Sequence, residues 1–212
     1  MANTETMTIH KGLAELKILE SRIEKAIANN RYCIANQVTN NKIKGVDIKS
    51  IKEDIKADYK SVSDLIKRHE AIKRAITLSN ANTDINIAEK TYKVAEAIYM
   101  KNHGMDFYKS LLVELHKQYT NETSMCDKVN LGLDKQADDY AVLSLGNKEI
   151  ASPEDIEKAR RQYIDTHTYV LVDPIQIKEK IESLEEMISK FEAEVDSALS
   201  VSNAITEIKV EY

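Results

Sequence analysis

The chain has little of what builds a thick globular core or crosses a membrane. Tryptophan is absent, phenylalanine occurs twice, and two prolines and five glycines are spread over 212 residues. Such a balance is typical of long helices with narrow apolar stripes. No run approaches the roughly 18 apolar residues of a membrane span, and the first residues lack the apolar stretch of a signal peptide. We therefore expect a soluble cytoplasmic protein that does not bind membranes.

Motifs that carry chemistry are missing as well. The sequence contains no P-loop, GxGxxG, HExxH or GxSxG pattern, and its five histidines are scattered. Cys33 and Cys126 lie far apart with no histidine at ligand spacing, which indicates two reduced thiols. Acidic pairs such as Asp138-Asp139 are typical of solvated helix surfaces. The sequence thus predicts a protein that is not an enzyme and has no metal or cofactor.

Charge of one sign is not concentrated enough for nucleic-acid binding. The net charge is −5, and a general nucleic-acid surface must be basic to displace counterions. Residues 41–76 carry ten Lys or Arg and six acids, whereas residues 175–212 carry four Lys and nine acids. Because complementary fields select a partner and its orientation, we expect the helices of these segments to lie beside each other, within one chain or across a subunit boundary.

One motif is present twice. Residues 75–87 read AITLSNANTDINI, and residues 198–210 read ALSVSNAITEIKV. Each copy follows a long amphipathic segment and leads into an alternating apolar run, so each is predicted to end a helix and begin a strand. Asn80 is expected to stop the first helix, since asparagine tolerates the left-handed conformation of a helix end. The two strands are predicted to be neighbours in one small sheet.

Long helices are predicted from apolar residues at three- and four-residue steps. Such stripes cover residues 9–27, 48–76 and 177–199, and Asp47 is a suitable N-cap for the second. Narrow stripes on helices of this length are typical of coiled-coil seams. A further helix is predicted from Val94.

The middle of the chain is harder to interpret. Residues 119–150 leave helix and strand open, because Val129, Leu131 and Leu133 alternate as in a strand whereas the apolar residues of 140–145 could continue a helix. Residues 119–175 are interpreted as an inserted or less regular part of a single domain, 1–212. Within them, Ser152-Pro153 is predicted to begin a helix. Residues 169–172, Tyr-Val-Leu-Val, are predicted to be extended.

These patterns together predict a mostly α fold. Long antiparallel coiled-coil-like helices accompany a small antiparallel β-sheet, formed by a hairpin at 83–87 and 91–94 and a C-terminal strand at 206–211. Narrow seams leave apolar surface that one copy cannot cover, so a homo-oligomer is expected.

Candidate binding residues lie where the long helices end, because pockets form there more readily than along a packed seam. Guanidinium groups match the geometry of phosphate and carboxylate, and a tyrosine ring can stack on a planar ligand. The same polar groups could instead satisfy their own backbone. That local alternative predicts little loss of stability for alanine at either arginine, whereas the binding alternative predicts loss of ligand retention. The candidate residues are Arg68, Arg74, Asn80, Asn82, Thr83, Tyr92 and Asn203.

Residues 64–102 resemble the septicolysin-like family of small helical bacterial and phage proteins. In that family a Leu-Ile-x-Arg helix runs to a Thr-Asn pair, a Thr-bearing strand and a Thr-x-x-Glu-Ala-Leu helix start. The resemblance implies a helical fold with a small sheet and a homo-oligomer, and it offers no reaction to carry over. The matching residues are Leu65, Ile66, Arg68, Ser79-Asn80, Thr83, Thr91 and Ala95-Glu96-Ala97-Ile98.

Two function classes follow. In the first, a non-enzymatic homo-oligomer sequesters a small anionic or nucleotide-like ligand. The wealth of Ile, Lys and Asn fits an AT-rich bacterial or phage genome, and a phage protein of this kind would inhibit host defence signalling. In the second, a structural or adaptor coiled-coil protein docks a protein partner or a virion component.

Overall fold

The computed structural model describes residues 4–146 and 152–212. Helices dominate these residues and the strands are short, so the prediction of a mostly α protein is confirmed. The strands are β1 (Thr4–Thr8), β2 (Lys42–Ile43), β3 (Val46–Asp47), β4 (Asp84–Ile87), β5 (Lys90–Lys93) and β6 (Glu207–Glu211). The helices are α1 (Ile9–Asn29), α2 (Ile48–Asn82), α3 (Val94–Tyr99), α4 (Met105–Asn130), α5 (Leu133–Leu145), α6 (Pro153–His167) and α7 (Ile177–Ile205), with a π-helical segment at Met100–Gly104.

The chain divides into two compact units, Met1–Asn102 with Lys190–Tyr212, and His103–Ser189. In the first unit α1 packs along α2, and the pair β1–β6 covers the end of α2. In the second unit α5 packs on α6. The region that the sequence left open contains helices α4 and α5 as far as Leu145, while residues 147–150 lie outside the described residues.

The predicted helix starts agree with the structure where capping residues are strong. The Asp47 carboxylate accepts the Lys49 N–H at 2.7 Å, and the Ser152 hydroxyl accepts the Asp155 N–H at 3.2 Å. The prediction that Asn80 stops α2 is wrong, since α2 continues to Asn82. The Thr83 N–H then closes the last turn on the Ser79 carbonyl at 2.8 Å with extended backbone, so no left-handed residue is needed.

The prediction of one sheet containing residues 83–87, 91–94 and 206–211 is also wrong. The hairpin β4–β5 forms one two-stranded sheet, and β6 pairs antiparallel with β1 in another. Glu207 lies opposite Thr8 in that second pair. The partner of β6 is β1, at Thr4–Thr8. No strand was predicted at those residues from the sequence.

The repeated motif nevertheless builds the same arrangement twice. In the first copy the Thr83 carbonyl accepts the N–H of Val94, the first residue of α3, at 2.9 Å. In the second copy the Thr206 carbonyl accepts the N–H of Ile9, the first residue of α1, at 3.0 Å. Each motif thus joins a long helix to a strand whose antiparallel partner leads directly into another helix. The chain order differs, because the second partner comes from the N-terminal segment.

The core of the first unit lies where these parts meet. Ile72 and Ile76 of α2 pack with residues of β1, α1 and β6, and Gly12 lets the helices approach closely. A Cβ on Gly12 would come within 3.3 Å of Ile76 and 3.4 Å of Ile208. The buried members of this cluster are Met7, Ile9, Leu16, Leu19, Ile72, Ile76, Ile208 and Val210.

Candidate functional site

A shallow groove runs along the exposed side of α2, beside Tyr212. It consists of two open depressions of about 690 and 730 Å³, and both are bordered by Lys67 and Tyr212. We call it the α2 groove. Its first depression is lined by Ala57, Lys60, Ser61, Asp64, Leu65, Lys67, Arg68 and Tyr212, and its second by Lys67, Glu70, Ala71, Arg74, Ala75, Leu78, Glu211 and Tyr212.

Helix geometry explains why these residues share a surface. The positions 57, 61, 64, 68, 71, 75 and 78 recur at alternating steps of four and three residues, so they form one stripe of a helix. This stripe is distinct from the buried seam that contains Ile72 and Ile76. Four of its members are alanine or serine, so few side chains protrude from this face of the helix. The three- and four-residue spacing of this stripe is visible in the sequence. It did not indicate a site, because most of its members are small or charged and form no apolar pattern.

Arg68 is the most constrained side chain of the groove. Its Nε atom donates to Glu15 Oε1 at 2.5 Å, and its Nη2 atom donates to Glu5 Oε2 at 2.8 Å. The guanidinium also lies over the Tyr212 ring, 4.5 Å from the centroid. Only 19% of the Arg68 side chain is exposed. The hydrogen bond from Arg68 holds the pKa of Glu5 below its ordinary value. Arg68 therefore joins α2 to β1 and α1, and its charge is already neutralised.

The other charged side chains of the groove differ in whether they are paired, and Glu211 is paired with Lys209 at 3.3 Å. Lys60 is paired with Asp64 at 2.5 Å. Lys67 and Arg74, by contrast, form no hydrogen bond or ion pair with any residue in 4–146 or 152–212. Lys67 lines both depressions together with Tyr212, and Arg74 lines the second. Leu78, at the end of the groove, is 59% exposed.

The predicted site residues do not gather in one place. Arg68 and Arg74 line the α2 groove, whereas the other five candidates line neither depression. The Asn82 side chain donates to the Leu78 carbonyl at 2.7 Å, and Thr83 caps the same helix end. The Asn82 side chain thus satisfies its own helix end, while the Thr83 hydroxyl lies 3.4 Å from the Ser79 hydroxyl.

The remaining candidates have different environments. Tyr92 packs edge-on against Phe191, with 5.7 Å between ring centroids. Asn203 is half-buried near the end of α7. The Asn80 Oδ1 atom is buried and has no hydrogen-bond partner among the described residues. Ligand binding by these residues stays a prediction.

The structure also bears on metals and membranes. No group of three or more His, Cys, Asp or Glu side chains in the described part of the chain is placed to hold a metal ion. Among the helices of the same residues, none has the length and apolar character needed to cross a membrane.

Comparisons with protein-family models, with curated proteins and with solved structures found no match to this chain. The resemblance of residues 64–102 to the septicolysin-like family therefore stays a prediction from sequence. The function has to be argued from the groove and from the exposed surfaces.

Proposed function

We propose that this chain is a non-enzymatic adaptor that docks an amphipathic helix of a protein partner in the α2 groove. The observation that carries the proposal is the length of the groove. It follows α2 from Ala57 to Leu78, which corresponds to about 30 Å at the helical rise of roughly 1.5 Å per residue. A helix of about 20 residues matches that length, and helix-in-groove docking is a common mode of peptide recognition.

The lining suits a helix with acidic residues at its edges. Small side chains at Ala57, Ser61 and Ala75 allow a close approach, and the exposed Leu78 offers an apolar contact. Lys67 and Arg74 have no ion-pair partner among the described residues, so they can pair with carboxylates of the partner. The acidic Glu70 lies between them and would disfavour a carboxylate at that position.

A second candidate function uses the same surface. A small anionic or nucleotide-like ligand could bind between Lys67 and Arg74 and contact the Tyr212 ring, which is 39% exposed as a residue. In a phage, sequestration of such a ligand would inhibit host defence signalling. The observation in its favour is the combination of an aromatic side chain with two cations that form no ion pair within residues 4–146 and 152–212.

The charge-reversal variant Lys67→Glu/Arg74→Glu is expected to lose the bound partner. The introduced glutamates would repel the carboxylates of the partner, and like charges that face each other weaken association. We expect the amount of partner that co-purifies to fall about tenfold or more. Mass spectrometry of protein purified from its host cells, under native and then denaturing conditions, measures what is bound. Lys52→Glu/Lys56→Glu is the matched control, because it reverses two exposed charges of α2 outside the groove.

The outcomes separate the candidate functions. A polypeptide retained by wild type and by the control but lost from the groove variant supports the adaptor. A stoichiometric small molecule with the same dependence supports sequestration instead. Binding that the groove variant retains in full would contradict both.

A further inference from the structure

The segment between α6 and α7 exposes four consecutive apolar side chains. Residues 169–172, Tyr-Val-Leu-Val, belong to no helix and to no paired strand. The exposed fractions alternate along them: 49% for Tyr169, 70% for Val170, 38% for Leu171 and 86% for Val172. Side chains of a strand alternate between its two faces. The alternation therefore places Val170 and Val172 together on the outer face of a strand-like segment.

Asn130, the last residue of α4, occupies one edge of this segment. Its Nδ2 atom donates to the Tyr169 carbonyl at 2.8 Å, and the Tyr169 N–H donates to Asn130 Oδ1 at 2.9 Å. The amide side chain thus takes the place of one residue of a neighbouring strand. In an extended chain the N–H and C=O of successive residues point to opposite edges. Those of Val170 and Val172 consequently point away from Asn130.

That second edge has no partner among the residues that the structure describes. Val170 and Val172 form no hydrogen bond with any residue in 4–146 or 152–212. Asp173 fixes the other end of the segment, since both of its carboxylate oxygens accept the Ile177 N–H, at 2.9 and 2.8 Å. A strand edge that is apolar, unpaired and held at both ends is a template for pairing with another strand.

The chain exposes more surface than compact proteins of the same mass. The chain exposes 15428 Å². Two separate compact proteins that together have this mass would expose only about 12,000 Å². The surplus of roughly 3,000 Å² exceeds the approximately 800 Å² that each partner buries in a standard stable interface. The exposed surface is therefore large enough for an interface of standard size with a second copy of the chain.

We propose that residues 169–172 pair antiparallel with the same residues of a second copy, across a two-fold axis through Leu171. Leu171 of one copy then lies opposite Leu171 of the other, and Val170 lies opposite Val172. This register forms the hydrogen bonds through Val170 and Val172, whose backbone groups bond to nothing in the described part of the chain, and it brings four valines together on one face. The segment carries no charge from Thr168 to Val172, so two copies meet without repulsion.

The double variant Val170→Lys/Val172→Lys tests the proposal. It brings four cations together in the paired segment, and we expect association to weaken roughly 100-fold or more. Sedimentation velocity over a concentration series measures the change, and circular dichroism checks the fold. The matched control is Val113→Lys/Leu143→Lys, which adds the same charge in the same unit at residues that are 66% and 83% exposed.

A cysteine cross-link tests the register. Leu171 forms the pair without hydrogen bonds, where Cα atoms lie about 4.5 Å apart, within the range of a disulfide. In a Cys33→Ser/Cys126→Ser background, Leu171→Cys is expected to give a covalent dimer on mild oxidation. Val113→Cys in the same background is expected not to.

Three results would overturn the proposal. One is a wild-type protein that is monomeric at micromolar concentration, which would also remove the expected homo-oligomer. Another is an oligomer that the double lysine variant leaves intact. The third is cross-linking at Leu171→Cys no faster than at Val113→Cys. None of these results affects co-purification of a partner with the α2 groove, so the two proposals fail separately.

Discussion

Replacing Ile72 by alanine is expected to lower the free energy of unfolding by about 2–5 kcal/mol, the range for large-to-small changes in a packed core. Ile72 is fully buried, and its cluster joins α2 to the N-terminal strand β1, the helix α1 and the C-terminal strand β6. Four segments lose contacts together when this side chain is shortened, so little local collapse can fill the cavity. Urea unfolding followed by circular dichroism measures the effect.

Ile66→Ala is the control for this prediction. Ile66 lies on the same helix and is 37% exposed, so the same change removes far fewer contacts. We expect a loss well below that of Ile72→Ala. Equal losses at the two positions would contradict the core described for the first unit, in which the two ends of the chain are held against α2.

Replacing Arg68 by methionine is expected to cost about 1.5–3 kcal/mol, the scale of a hydrogen bond to a charged group. Methionine keeps much of the apolar stem but removes the cation that Glu5 and Glu15 share, which leaves Glu5 with Lys11 alone. Sequence reasoning expected little loss of stability at this position if the arginine did not bind a ligand. The structure changes that expectation because Arg68 connects three elements.

The loss should depend on pH in a defined direction. Arg68 holds the pKa of Glu5 in the folded protein below its ordinary value of 4.5. The stabilisation that this pair contributes is therefore fully present above pH 4.5. It is lost as the pH falls through the lowered pKa and Glu5 becomes protonated. The difference in the free energy of unfolding between wild type and Arg68→Met is therefore expected to be largest at neutral pH and to narrow progressively as the pH falls below 4.5.

Arg74→Met is the matched control for Arg68→Met. Arg74 is exposed on the same helix and has no ion pair among the described residues. We expect its loss to stay within about 0.5 kcal/mol and to show no change with pH. The difference in the free energy of unfolding between wild type and Arg68→Met could instead persist unchanged at low pH. That result would mean that packing of the Arg68 side chain, and not its pairing with Glu5, accounts for the loss.

Local signals were enough to predict most of the helices. Asp47 and Ser152 have side chains that accept a backbone N–H, and such caps act within one turn of the chain. The seam of α2 was visible for a similar reason, since three- and four-residue spacing is a property of the helix itself. The duplicated motif was correctly predicted to end two helices, because the closing hydrogen bonds of Thr83 and Thr206 span only four residues.

The candidate site was predicted only in part, for a related reason. Arg68 and Arg74 lie in the α2 groove, but the sequence placed them beside the helix end and not along the helix face. Tyr212 could not be foreseen there, because a residue at position 212 reaches α2 only after β6 has paired. The same pairing brings Glu5 to Arg68, across 63 positions of the chain.

The sequence by itself determined where most of the helices form, that two of them lead into strands and which of their faces are apolar. These are consequences of local propensity, capping and periodicity. Only the tertiary structure decided which strand pairs with which. The strand of the motif at 75–87 pairs with the next strand along the chain, β5, whereas the strand of the motif at 198–210 pairs with β1 at Thr4–Thr8. Strand pairing is selected by burial of the facing side chains, here Met7, Ile208 and Val210 against Ile72, and no local pattern records that choice.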